Sequence, residues 1–158
     1  MAERKNLPAF IALALMLVVT AAVVLDYWGY VIPASYTQVE ITIMEFVPAD
    51  YTMHLRFRFS NPRGLRVTIL KTSYSVVLND ATLTTDTITD TIVVEGEEPT
   101  YLERTLTLPS DIGPQMQAAW ASQIWDWEFM GAMSVKTTLG GTPVSFCETS
   151  KYAPMFTP

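Results

Sequence analysis

The chain has 158 residues, a formal net charge of −6 at pH 7, one cysteine and one histidine. Nucleic-acid binding requires clustered Lys and Arg, so the acidic balance argues against such a partner. A single cysteine excludes an intramolecular disulfide and a thiol-rich structural metal site, so the fold must be stabilised by its hydrophobic core.

An uncharged apolar run opens the chain at residues 7–25, and its single hydroxyl-bearing residue is Thr20. About 20 apolar residues in a helix are needed to cross the hydrocarbon core of a bilayer. Arg4 and Lys5 precede the run, and positive charges tend to stay on the cytoplasmic side. We therefore predict a single-pass cell-membrane protein with its N-terminus, residues 1–6, in the cytoplasm.

An uncleaved anchor is favoured over a signal peptide. The apolar run is longer than the usual core of a signal peptide, and Thr20-Ala21-Ala22 makes only a passable cleavage site. On this interpretation residues 26–37 form a juxtamembrane linker, and the domain that follows is extracytoplasmic.

Aromatic residues follow the apolar run directly: Tyr27, Trp28 and Tyr30. Amphipathic rings favour the headgroup region of a bilayer. We predict that these three residues form the membrane-interface contact, with the lipid bilayer as a partner.

From Val39 onward, apolar and polar residues alternate, which is the pattern of a strand with one buried face. In the first strand, Val39, Ile41, Ile43 and Val47 are predicted to face inward. The second strand has the clearest alternation, and it places His54 on the face opposite Phe57. Turn signals separate further strands, at 48–50, 61–64, 79–80, 95–99 and 140–143.

The third strand changes phase near Leu70-Lys71, which predicts a bulge or bend. The Thr-rich segment 81–91 is predicted to be a solvated edge strand, and residues 92–94, 102–108, 130–135 and 144–149 complete the strand pattern.

One helix interrupts the strands. Ser110 or Asp111 is the candidate cap, and a single apolar face recurs at helical intervals through Met116, Trp120, Ile124 and Trp127. Trp125 falls elsewhere on the helical wheel, so we predict that it is exposed and available to a partner.

About seven short strands with one inserted helix predict an Ig-like antiparallel β-sandwich over residues 38–150, followed by a tail at 151–158. The segments Phe59-Ser60-Asn61-Pro62 and Ser73-Tyr74-Ser75-Val76-Val77-Leu78-Asn79 resemble motifs of the group-14 late-embryogenesis-abundant (LEA) domain, also called the water-stress and hypersensitive-response domain. The segment 127–133 is similar to that family's glycine-marked strand. The resemblance implies a seven-stranded sandwich with a helix, a link to stress tolerance and no catalytic residues.

Catalytic, metal and cofactor sites are not predicted. His54 lies on a polar strand face without a nucleophile-elbow motif, and the acidic residues of segment 86–98 lack the spacing of an EF-hand. No cofactor and no small-molecule substrate are evident.

We expect a non-catalytic accessory or structural subunit of a larger membrane assembly. The other membrane-protein subunits are predicted to contact Trp125, Tyr152, Met155 and Phe156, although the tail could pack on its own sandwich instead. A free-standing stress-protective protein and a surface-filament or stator-like component are the alternatives.

Overall fold

The computed structural model describes residues 7–138 and 140–154. It begins with a helix, α1, at Leu7–Asp26, and continues through a π-helical turn at Tyr27–Val31 into a short helix, α2, at Ile32–Ser35. Residues 27–35 are thus helical where the sequence predicted a linker. Pro33 has no N–H and its ring crowds the carbonyl of the preceding turn, and the wider π turn, in which Ile32 N–H bonds to Tyr27 O, precedes it.

The helical segment Pro8–Ser35 is 28 residues long and apolar enough to cross a membrane, and none of its apolar window is buried against the rest of the molecule. At 1.5 Å per residue it extends over about 42 Å, which exceeds the roughly 30 Å of a bilayer hydrocarbon core. Length and composition support this statement, and a signal sequence would meet the same two criteria.

Two antiparallel sheets pack face to face, as the sequence predicted. The strands are β1 at Gln38–Val47, β2 at Thr52–Ser60, β3 at Arg66–Leu78, β4 at Ala81–Ile88, β5 at Ile92–Glu95, β6 at Thr100–Thr107, β7 at Trp127–Thr137 and β8 at Gly140–Ser150. The first sheet has the order β1-β2-β6, and the second has the order β4-β3-β7-β8, with β5 pairing with β3 beside β4. Because β4 and β5 share one edge of β3, the described strands occupy seven positions in the two sheets.

The core lies between the sheets and follows the predicted register of β2. Met53, Leu55, Phe57 and Phe59 are at most 1% exposed. The ring of Phe57 packs edge-on against Tyr74 of the opposite sheet, with 5.2 Å between the ring centroids. The alternation in β2 therefore determines which face of the first sheet is buried.

Strand β1 departs from its predicted register near its end. A bulge between Ile43 and Glu45 shifts the pairing with β2 by one residue. Phe46 consequently enters the core, and Val47, predicted to be buried, is only half-buried. Apolar and polar residues alternate regularly on each side of the bulge, so the sequence does not reveal the shift. The shift places the ring of Phe46 against that of Trp127.

Two local predictions for β3 are confirmed. Its pairing with β7 shifts between Ile69 and Lys71, which is the predicted bulge. Asn79 and Asp80 both have positive φ, 48° and 67°. This conformation belongs to the two-residue turn that matches the twist of a hairpin, and it connects β3 to β4.

The helix in the sandwich, α3, spans Gly113–Ser122 and follows a 3-10 turn at Ser110–Ile112. The predicted helical face continued to Trp127, which is wrong, because Gln123 adopts a left-handed conformation with φ 58° and ends the helix. Ile124 then lies outside the helix, and Trp127 belongs to β7.

The last hairpin is also tighter than predicted. Gly140 through Pro143 were predicted as its turn, but they pair with β7 as the first residues of β8. The described part of the turn is Thr138.

Candidate functional site

The first functional candidate is the junction between the helix and the sandwich, where the chain is held without a free linker. Pro33 and Ala34 of α2 are buried, and Ala34 is 0% exposed. At the end of α1, Asp26 Oδ1 accepts a hydrogen bond of 2.8 Å from the backbone N–H of Thr138 in the β7–β8 hairpin. The helix is therefore bound to the sandwich at two separate points.

Asn61 of the Asn-Pro motif forms the centre of this junction. Asn61 is a buried polar residue and is only 2% exposed. The amide Nδ2 donates to Pro33 O at 2.9 Å, while Oδ1 accepts from the N–H of Arg63 at 3.1 Å. The same residue thus shapes its own turn and binds the carbonyl of Pro33 in α2, which explains why an amide is suited to this position.

Two further contacts complete the junction. Thr37 Oγ1 donates to Pro33 O at 3.2 Å. The Arg63 guanidinium lies 4.5 Å from the centre of the Tyr36 ring, in cation–π geometry. The first contact closes the α2–β1 connection on itself, and the second joins this connection to the turn that follows β2.

The predicted membrane-interface residues lie directly beyond α1. Tyr27, Trp28 and Tyr30 are 53%, 67% and 43% exposed. They occupy the π turn between the apolar run and the junction. Their position next to the apolar helix is the one that an interfacial belt requires, and their contact with lipid stays a prediction.

The second candidate is a distal aromatic cluster, at the end of the sandwich opposite the junction. We define it by the residues Phe46, Tyr51, Trp120, Trp125, Trp127 and Tyr152. The end is opposite because β2 runs from Thr52 to Ser60, next to Asn61, and Met53 pairs with Phe46. Likewise, β3 starts beyond the Asn61 turn and pairs its last residue, Leu78, with Trp127.

Three tryptophans form a continuous ladder from the core to the surface. Trp127 is 0% exposed, Trp125 is 8% exposed and Trp120 is 44% exposed. Centroid distances are 6.3 Å for both the Trp125–Trp127 stack and the edge-on Trp120–Trp125 pair. The prediction that Trp125 is exposed is therefore wrong, because the chain reverses at Gln123 and inserts Trp125 between the other two rings.

Trp120 takes the exposed position that the sequence had assigned to Trp125. Ile124, two residues beyond the end of α3, is 52% exposed. A surface depression of about 220 Å³ adjoins Trp120, between Pro48, Tyr51 and Met116. Large exposed apolar side chains around a depression are typical of a protein-binding surface.

Tyr152 of the tail contacts its own sandwich. Its hydroxyl accepts a hydrogen bond of 3.3 Å from the N–H of Phe46, and its carbonyl accepts one of 2.9 Å from Trp127 Nε1. The start of the tail thus satisfies the polar groups of the cluster, in contrast to the preferred prediction that it packs on a partner. Met155 and Phe156, the other predicted contact residues of the tail, lie outside the described residues.

The remaining sequence candidates are dispersed. His54 Nδ1 lies 3.0 Å from Thr105 Oγ1 on the outer face of the first sheet. Asp86 accepts a bond from the Tyr74 hydroxyl, and Asp90 pairs with Arg104. Within residues 7–138 and 140–154, no group of three or more His, Cys, Asp or Glu side chains is arranged to hold a metal ion.

The hydrogen bond between Tyr74 and Asp86 lies at the edge of the core. Burial, followed by the nearby Asp86 carboxylate, raises the pKa of the Tyr74 hydroxyl well above its usual range. The group is therefore a neutral donor to Asp86 at physiological pH. Its role is to satisfy a carboxylate at the edge of the core.

The fold is shared with solved structures of low sequence identity. A crystal structure of a protein from Archaeoglobus fulgidus matches with a TM-score of 0.53 and 12% identity, covering 74% of this chain and 97% of that one. A solution structure described as a late embryogenesis abundant protein matches with a TM-score of 0.48 and 15% identity, covering 98% and 91% of the two chains. A solution structure from Arabidopsis thaliana matches with a TM-score of 0.48 and 16% identity, covering 78% and 82%.

Neither a protein-family model nor a curated protein matches the chain. One of the neighbours is described as a late embryogenesis abundant protein, the family whose motifs the segments 59–62 and 73–79 resemble. At these identities the likeness concerns the fold alone. The chain is thus an antiparallel β-sandwich preceded by a long apolar helix.

Proposed function

We propose that this chain is a non-catalytic, single-pass membrane protein, an accessory or structural subunit whose extracytoplasmic sandwich is held at a set height above the bilayer. The single observation that carries the proposal is the junction. A helix long enough to cross a membrane continues into buried contacts with the sandwich at Pro33, Ala34 and Asn61. A flexible tether would leave the domain free to reorient, whereas this junction favours one orientation.

The distal aromatic cluster supports a subunit role because of its location. If α1 crosses the bilayer, Trp120 and Ile124 lie at the end of the sandwich farthest from the lipid, where another subunit can reach them. Their exposed apolar area suits contact with a protein partner. We therefore assign the partner surface to Trp120, Ile124 and the adjoining depression.

Topology is tested with the native thiol. Cys147 is the single cysteine of the chain and is exposed. A membrane-impermeant maleimide should label it on intact cells, and the Cys147→Ser variant is the matched control. Labelling that requires cell lysis would place the sandwich in the cytoplasm and contradict the proposal.

The subunit role is tested by purification from the native membrane in mild detergent. A partner should accompany the wild-type chain at fixed stoichiometry, be lost with Trp120→Ala and be retained with Tyr101→Ala. Tyr101 is the control because it is 57% exposed but lies on β6, away from the distal cluster. A lone monomer in the wild-type sample would instead support the stress-protective alternative.

A further inference from the structure

The two sheets leave an open seam on one side of the sandwich, between β1 and β8. Each of these strands is the last in its sheet. A cleft of about 490 Å³ lies along part of the seam and is lined by residues 37–40, by Arg58 and Ser60 of β2, and by residues 145–148 of β8. The cleft borders the junction at Thr37 and shares no lining residue with the distal aromatic cluster.

Apart from Pro143 near its start, strand β8 has little of the protection against pairing that β1 and β6 have at the edges of the first sheet. Free edges are normally blunted by charges, bulges or short length. Strand β1 carries Glu40, Glu45 and a bulge, and β6 carries the charged pair Glu103-Arg104. Strand β8 spans 11 residues, and Glu148 is its only charged residue.

The outward face of β8 is also small and uncharged. Its exposed residues alternate with half-buried ones along the whole strand. Those exposed beyond the glycine pair that opens the strand are Pro143, Ser145, Cys147 and Thr149. Such a strand offers a row of backbone donors and acceptors to an added strand with little steric obstruction.

The charge in the cleft determines which strand would fit. Glu40 is paired with Arg58 at 2.8 Å. Glu148 is half-buried, and its carboxylate has no hydrogen-bond or ion-pair partner within the part of the chain that the structure describes. Burial, followed by repulsion from Glu40, raises the pKa of the Glu148 carboxyl. The cleft therefore holds a carboxylate whose charge is uncompensated.

We propose that the free edge of β8 binds an extended segment of a partner protein, which adds a strand to the second sheet and places a lysine or arginine against Glu148. A second copy of this chain fits less well. Its own β8 would bring another glutamate and no basic residue. The proposal thus requires a basic, strand-forming segment from a different protein.

The test uses the full chain in detergent micelles and a fluorescent, end-capped decapeptide of alternating threonine and valine with one central lysine. Binding is measured by fluorescence anisotropy. The lysine peptide should bind at least about tenfold more tightly than the same peptide with a central glutamate, which is the scale of one charge-assisted hydrogen bond. Methylating the backbone nitrogens along one edge of the peptide should abolish binding, while methylation along the other edge should not.

Protein variants locate the site. Glu148→Gln should weaken binding of the lysine peptide about tenfold, and Glu103→Gln, on the edge strand β6, should leave it unchanged. A benzophenone beside the peptide lysine should cross-link to residues 140–150.

Absence of binding, equal affinity for the lysine and glutamate peptides, or cross-links confined to β6 would overturn the proposal. So would a discrete dimer of the chain whose Cys147 thiols oxidise to each other, because a second copy would then occupy the edge. None of these measurements depends on membrane topology, so they are separable from the proposed function.

Discussion

The buried amide at the junction should contribute more to stability than a matched amide elsewhere. Asn61→Asp keeps the size of the side chain and the acceptor for Arg63, but removes the donor that reaches Pro33 O at 2.9 Å. Loss of a buried hydrogen bond costs about 1 kcal/mol, and a carboxylate that faces a carbonyl in a 2% exposed position adds about 1–3 kcal/mol. We therefore expect the free energy of unfolding to fall by about 3 kcal/mol.

Asn79 provides the control because its side chain makes the same two kinds of bond. Its Nδ2 donates to Ile124 O at 2.9 Å, and its Oδ1 accepts from the N–H of Asp126 at 3.0 Å. Both bonds lie at the solvent-exposed end of the sandwich, where water replaces a lost donor. Asn79→Asp, which also tolerates the positive φ, should cost no more than about 1 kcal/mol.

The assay is urea unfolding of the full chain in non-ionic micelles, followed by tryptophan fluorescence. Equal slopes with shifted midpoints would show that the change is in stability. If the free energies of unfolding of the Asn61→Asp and Asn79→Asp variants agree within about 0.5 kcal/mol, the amide at position 61 is not the structural centre of the junction and the argument fails.

The same unfolding assay tests three further expectations. Phe57 is 0% exposed, so Phe57→Ala should lower the free energy of unfolding by about 3–5 kcal/mol. The ion pair of Arg56 is exposed, so Arg56→Ala should lower it by less than about 1 kcal/mol. Equal losses would mean that the register of β2 is wrong. Gly131→Ala should destabilise the sandwich by more than about 1 kcal/mol, because a Cβ there would overlap Ser73 O and approach the Phe146 ring to 2.8 Å. An unchanged free energy of unfolding would refute this close approach. The raised pKa of the Glu148 carboxyl means that the folded state binds a proton more readily than the unfolded state, so the stability of the wild type falls as pH rises through that pKa. Glu148→Gln should therefore stabilise the fold at neutral pH and lose this effect in acid. If the difference in the free energy of unfolding between wild type and Glu148→Gln did not change over that pH range, the pKa of Glu148 would not be raised.

Local patterns were sufficient wherever the relevant contacts repeat along the chain. The apolar run predicted a helix without a polar face, and the structure has α1 at Leu7–Asp26. The alternation in β2 determined its buried face, and the pair Asn79-Asp80 determined a hairpin turn. In each case, neighbouring residues carry the physical cause, namely side-chain periodicity or backbone preference.

Long-range contacts decided the rest. No glycine marks the left-handed residue Gln123, so the helical pattern appeared to continue, and only the packing of Trp125 between Trp120 and Trp127 shows where the chain reverses. The bulge in β1 likewise depends on the fit of Phe46 against the ring of Trp127.

The same holds for the functional candidates. The Asn-Pro motif predicted a turn at Asn61, but its bond to Pro33, 28 positions earlier in the chain, exists only after the sheets have assembled. The unprotected edge of β8 and the unpaired Glu148 are properties of strand order and of the seam between two sheets. Sequence periodicity determines which face of a strand is buried, whereas the tertiary structure alone determines which strand lies at an edge and what lies beside it.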